Sequence, residues 1–294
     1  MKKIISIVSF AMAAYVSAFA AAPLTEKKGD GLYGITAGKV SMVIDAGKGA
    51  KVLSFKYENK EVISQLQRFN AFGSTFWTSP QTEWNWPPVA EYDRNPYEVE
   101  MSDDSIVMTG QISDRFKYSI RKVFKAVPEK NSVVVSYSIV NHSLETRKVA
   151  PWEITRVPGD GLIFFECASK DIWPAGIMDF KDKKGCAWYT FDENKENRKI
   201  NADGKGWLAY ANGELLLVKR FPDIKAGEEA PKEAEIQVYV NQGKTFIELE
   251  SQGAYTTLAP GESLTYTVEW YLLPYQSDGK PSSKLVKTVK NTIK

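Results

Sequence analysis

Along most of the chain, apolar and polar residues alternate with a period of two. Residues 39–44, 105–109, 118–124, 132–140, 215–218, 235–240, 246–250 and 263–272 all carry this pattern and are rich in β-branched and aromatic side chains. That combination predicts strands. Turn-forming clusters bound them: Asp45-Ala46-Gly47, Glu58-Asn59, Pro128-Glu129-Lys130-Asn131, Asn212-Gly213 and Pro260-Gly261. Helical periodicity is confined to residues 61–69 and to the C-terminal end, where Leu285, Val289 and Ile293 recur among five lysines. The pattern predicts an all-β, antiparallel, two-sheet protein. Without a linker, a repeat or a low-complexity tract, residues 21–294 read as a single sandwich domain. In residues 132–140 serines alternate with hydrophobics, giving one small polar face. It reads either as a floor for a carbohydrate or as a solvated outer face.

One segment breaks the alternation. Phe76-Trp77-Thr78-Ser79-Pro80-Gln81-Thr82-Glu83-Trp84-Asn85-Trp86-Pro87-Pro88 holds three of the eight tryptophans and three prolines. Prolines at this density are excluded from a helix or a central strand, so the segment is expected to be a surface loop. Rigid indoles separated by polar tips suit a flat, hydroxylated ligand. The C–H face of a sugar can lie on Trp77, Trp84 or Trp86 while Gln81, Glu83 and Asn85 bond its hydroxyls. The competing reading is a loop that folds back and plugs one end of the sandwich.

The N-terminus reads as a leader. Lys2-Lys3 precedes an apolar run over residues 4–19, and Ala18-Phe19-Ala20 forms a cleavage site. The run is too short to span a bilayer. Residues 1–20 are therefore expected to be a signal peptide, and the protein periplasmic or secreted, with no membrane insertion after cleavage. Without Lys2 and Lys3, the 38 basic residues fall level with the 36 acidic ones. A balance near zero argues against a nucleic-acid or anionic-membrane partner. Cys167 and Cys186 either pair across strands or remain two buried thiols. Two cysteines and one histidine make no zinc set, and no cofactor is expected.

Two acidic clusters stand out. In Ala150-Pro151-Trp152-Glu153-Ile154-Thr155-Arg156, Trp152 and Glu153 point to opposite faces if the segment is extended. In Ile247-Glu248-Leu249-Glu250-Ser251-Gln252, Glu248 and Glu250 share one face. They repel unless solvated, paired with a cation or used. Arg68 and Arg220 are further cations that either line the same cleft or sit on the surface. His142, in a polar turn, is not expected to act as a base.

Taken together, these segments resemble the galactose mutarotase-like, or aldose 1-epimerase-like, superfamily, and most closely a bacterial secreted DUF4380-type domain. The resemblance runs from Gly38–Asp45, Gly49–Phe55 and Asn59–Ile63, through Trp77–Pro88, Val140–Ser143 and Val149–Thr155, to Glu248–Gln252 and Leu258–Glu262. It implies a large β-supersandwich with a sugar cleft on a concave sheet. Leu249-Glu250-Ser251-Gln252 is similar to the superfamily's Leu-Glu-Thr-Gln motif, which implies Glu250 as general base. The superfamily's histidine acid has no counterpart; Trp152-Glu153 occupies the matching neighbourhood, leaving Glu153 as an acid candidate. The implied ligand is a mono- or oligosaccharide held by Trp77, Gln81, Glu83, Trp84, Trp86, Trp152, Arg156 and Glu248. Carbohydrate binding is the first expectation. An aldose 1-epimerase-like isomerase is the second, and a non-catalytic cell-envelope interaction protein the third.

Overall fold

The computed structural model describes residues 22–66, 71–192 and 195–294. All eight alternating segments are strands, several of them longer than the pattern alone suggests. They join others in two antiparallel sheets, one of 11 strands and one of 10. The larger sheet runs, edge to edge, through Thr25–Gly29, Leu32–Ala37, Val40–Asp45, Lys51–Tyr57, Ser74–Ser79, Arg147–Pro158, Phe246–Gln252, Ile236–Val240 and Arg198–Ala202. Two short strands, Lys60–Glu61 and Thr256–Leu258, pair off this path. The smaller sheet centres on Leu215–Arg220, Ser263–Pro274, Ser132–Asn141 and Tyr118–Val127.

The core lies between the sheets. Phe76 of the larger sheet stacks on Tyr137 of the smaller at 4.4 Å, and Phe55 meets Trp270 edge-on at 5.6 Å. Such rings bury large apolar areas and dominate the cohesion of the two layers. A polar strut also crosses this core. Lys219 of the smaller sheet pairs with Glu153 of the larger, and both are buried. Ser74 and Thr155 donate to the same carboxylate at 2.6 Å each. Burial pulls the Lys219 ammonium down to about 8, with Glu153 opposing the fall.

Several expectations need correction. Residues 76–79 are not loop: Ser74–Ser79 is a fully buried strand, and the prolines begin only after it. The loop is residues 80–88, opening with a 3-10 turn at Gln81–Glu83. Helical periodicity over residues 61–69 forms no helix within the described residues; Lys60–Glu61 is a strand and 62–66 is irregular. The C-terminal helix does form, over Ser283–Thr292, with Ser282 accepting the Leu285 N–H as an N-cap. Its Leu285, Val286 and Val289 cover Phe164, Trp188 and Trp207 on the outer side of the smaller sheet.

The serine face of residues 132–140 is an outer face of that same sheet. Ser136 and Ser138 bond Thr267 and Thr265 across it at 3.0 and 2.9 Å, so it floors no cleft. Cys186 packs with the outer cluster and Cys167 against the inner core, and both thiols are free. The leader over residues 1–20 and Arg68 lie outside the described residues.

Candidate functional site

The floor of a cleft is built by register. Strands Ser74–Ser79, Arg147–Pro158, Phe246–Gln252, Ile236–Val240 and Arg198–Ala202 are successive neighbours. Residues directly opposite one another share a face. The pairing aligns Trp77 with Trp152 and Gln252, Ile154 with Glu250 and Gln237, and Arg156 with Glu248, Tyr239 and Lys199. This face is the outer one, turned away from the strut. The loop after Ser79 folds over its end.

A cavity of about 540 Å³ lies on this face. Trp77, Trp86 and Trp152 wall one side, and Tyr239 and Phe246 the other. Gln81, Arg156, Lys199, Asn241 and Glu248 supply polar groups. The rings brace one another, with Trp77 edge-on to Trp84, Trp86 and Trp152 at 5.5, 6.2 and 5.4 Å. Trp86 is 65 % exposed, whereas Trp77 and Trp84 are each 5 % exposed.

The charges on this face are paired. Arg156 holds Glu248 at 2.7 Å and also donates to the Phe72 carbonyl. Lys199 holds Glu250 at 2.9 Å and lies 4.5 Å over the Trp152 ring. The Trp152 indole N–H donates to the same Glu250 oxygen at 2.7 Å. The other oxygen, Oε1, is buried and makes no hydrogen bond among the described residues. Burial pushes the Glu250 carboxyl up to about 7; Lys199 opposes the rise and Glu248 adds to it. A buried carboxyl so perturbed beside a cavity marks a candidate site.

Beneath the loop, amides form a buried network. Ser79 donates to Gln252 Oε1 at 2.6 Å. Gln252 donates to Glu233 and Gln237 at 3.1 and 2.9 Å. Glu233 also accepts the Gln81 backbone N–H at 2.9 Å, tying the loop to the sheet.

The expected residues therefore divide. Trp77, Gln81, Trp86, Trp152, Arg156 and Glu248 line the cavity, and Glu250 lies in the same face behind Trp152 and Lys199. Trp84 does not line it; the ring packs behind Trp77 and Trp152, its N–H on the Thr78 carbonyl at 2.9 Å. Glu83 points elsewhere, into a separate hollow with Arg115, Arg147 and Tyr255. Glu153 faces the core, on the side of the sheet opposite Glu250, so the two cannot flank one ligand. Arg220 lies outside the cleft, paired with Glu269 at 2.9 Å. His142 bonds Ser119 at 2.8 Å, far along the other sheet.

Sequence reading missed Lys199, Gln237, Tyr239 and Asn241. The alternation in residues 235–240 already placed Gln237 and Tyr239 on one face, but nothing marked that face as the cleft.

No family model matches the sequence and no curated protein matches it, so the finer DUF4380-type resemblance rests on the quoted motifs alone. Solved structures do match. A galactose mutarotase-like protein from Lactobacillus casei superposes with a TM-score of 0.58 at 14% identity, covering 83% of this chain and 100% of its own. The galactose mutarotase related enzyme from Lactobacillus acidophilus gives 0.56 at 11%, covering 85% and 100%. A galactose mutarotase-like protein from Clostridium acetobutylicum gives 0.54 at 11%, covering 86% and 99%. The chain has the galactose mutarotase-like fold.

Proposed function

We propose that this protein binds a saccharide on the outer face of its larger sheet. The observation that carries the reading is convergence. Indoles from residues 77, 86 and 152 meet Gln81, Arg156 and Glu248 around one cavity of about 540 Å³. Apolar walls with a few fixed polar groups are what a pyranose needs, since its faces are C–H and its rim is hydroxyl. The sugars implied by the names of the structural neighbours fit the same chemistry. The expected leader over residues 1–20 supports a site of action in the periplasm or medium.

Titration calorimetry against a panel of neutral sugars tests this. Saturable binding is expected, with Trp86→Ala weakening it about tenfold, equivalent to about 1.4 kcal/mol. A flat response to every sugar ends the reading and leaves a cell-envelope interaction protein.

A second reading, an aldose 1-epimerase-like isomerase, is favoured by the state of Glu250. Ring opening removes the anomeric hydroxyl proton, protonates the ring oxygen and breaks the C1–O5 bond; reclosure inverts C1. Glu250 is poised near neutrality to take the first proton. Glu153 is on the wrong face to give the second, and Lys199, bonded to Glu250 and open to the cavity, takes its place as donor. Purified protein would then accelerate the optical-rotation change of fresh α-sugars, and Glu250→Gln would abolish it.

A further inference from the structure

Beside the first cavity lies a second hollow of about 590 Å³. The two share Gln81, Trp86 and Lys199 as a common wall. Each alone falls in the range of about 300–1,000 Å³ that accommodates a small molecule. Trp86 stands between them as a ridge, and its 65 % exposure leaves much of the indole open.

The two hollows differ in chemistry. The first is ringed by aromatics. The second is lined by the amides Asn85, Asn201 and Gln237, with Thr82 and Pro174 at its rim. Amides both donate and accept, which matches hydroxyl groups rather than an ion. Charge agrees, since Lys232 and Glu233 offset one another there, as Arg156 and Glu248 do in the first hollow. The amides are also held in place. Gln237 is buried and donates to Asn201 at 2.7 Å, and Asn201 pairs with the Trp173 backbone at 2.7 and 3.0 Å. A prefixed polar surface binds at lower entropic cost than a mobile one.

We propose that the cleft takes a neutral oligosaccharide, one ring seated among Trp77, Trp152 and Tyr239 and the next beyond Trp86 on the amide floor. This rests on the saccharide reading and adds chain length to it. A single pyranose would occupy only the first hollow, leaving the far side of the Trp86 indole and the amide floor without a role.

The test is calorimetry with matched series: glucose, cellobiose and cellotetraose; glucose, maltose and maltotetraose; N-acetylglucosamine, chitobiose and chitotetraose. In at least one series the disaccharide is expected to bind at least tenfold tighter than its monosaccharide. Thr82→Trp, which fills the second hollow from an exposed turn position, should return the disaccharide to the monosaccharide value. The monosaccharide itself should stay within twofold. Asn201→Ala should move the disaccharide in the same direction by severalfold, which covers the case in which Thr82→Trp fails to fold. Equal affinity for monomer and dimer overturns this inference and leaves the saccharide reading intact, as does a Thr82→Trp effect shared equally by both. Silence from all sugars overturns both.

Discussion

Glu250 and Glu153 sit on directly paired strands, one position apart in register, yet their environments are opposites. Glu250 is buried behind the cleft with a carboxyl raised to about 7. The native state therefore holds a proton that the unfolded chain, near 4.5, gives up. The corresponding stability is fully present below about 4.5 and is lost as pH climbs through 7. Glu250→Gln should remove that loss. Its advantage over the wild type in urea denaturation should grow from pH 5 to pH 8, by about 2–3 kcal/mol at 1.36 kcal/mol per unit. Glu153 behaves as structure. Glu153→Leu leaves Lys219 buried and unpaired, at a cost of about 3–5 kcal/mol, whereas Glu153→Leu with Lys219→Met should recover most of it. Sugar affinity should be unchanged in that double variant, because neither side chain reaches the cleft.

Among the elements, the C-terminal helix is a cover rather than a tail. Leu285→Ala should cost about 2–5 kcal/mol, seen as a lower melting temperature, while leaving sugar binding intact. The helix was legible because Leu285, Val289 and Ile293 repeat with a period near 3.6 among lysines. The one-sided strands were legible for a like reason. Ser74–Ser79 was not, since all six residues are buried on both faces and no alternation survives. Its adjacency to Pro80 drew it into the loop. Alternation told that Glu248 and Glu250 share a face, and that Trp152 and Glu153 do not. It could not tell which face meets water, and so it left Glu153 a candidate. Lys199 was invisible for another reason: its partner Glu250 is 51 residues away, and only sheet order brings them together.

At the scale of the whole molecule, the fold follows from two wide sheets closing over aromatic contacts, and the cleft from how one of them is threaded. Its order places Ser74–Ser79 next to Arg147–Pro158, and that strand next to Phe246–Gln252. The Ser79–Gln252 bond spans 173 positions. Contacts of such separation form late, after loop-closure entropy has been met. During synthesis, then, the indole wall emerges from the ribosome long before its acidic and amide floor. A nascent chain halted at residue 235 would display Trp152 without Glu250, the acceptor of its indole N–H. The ligand-holding face therefore stays incomplete until Phe246–Gln252 has been translated.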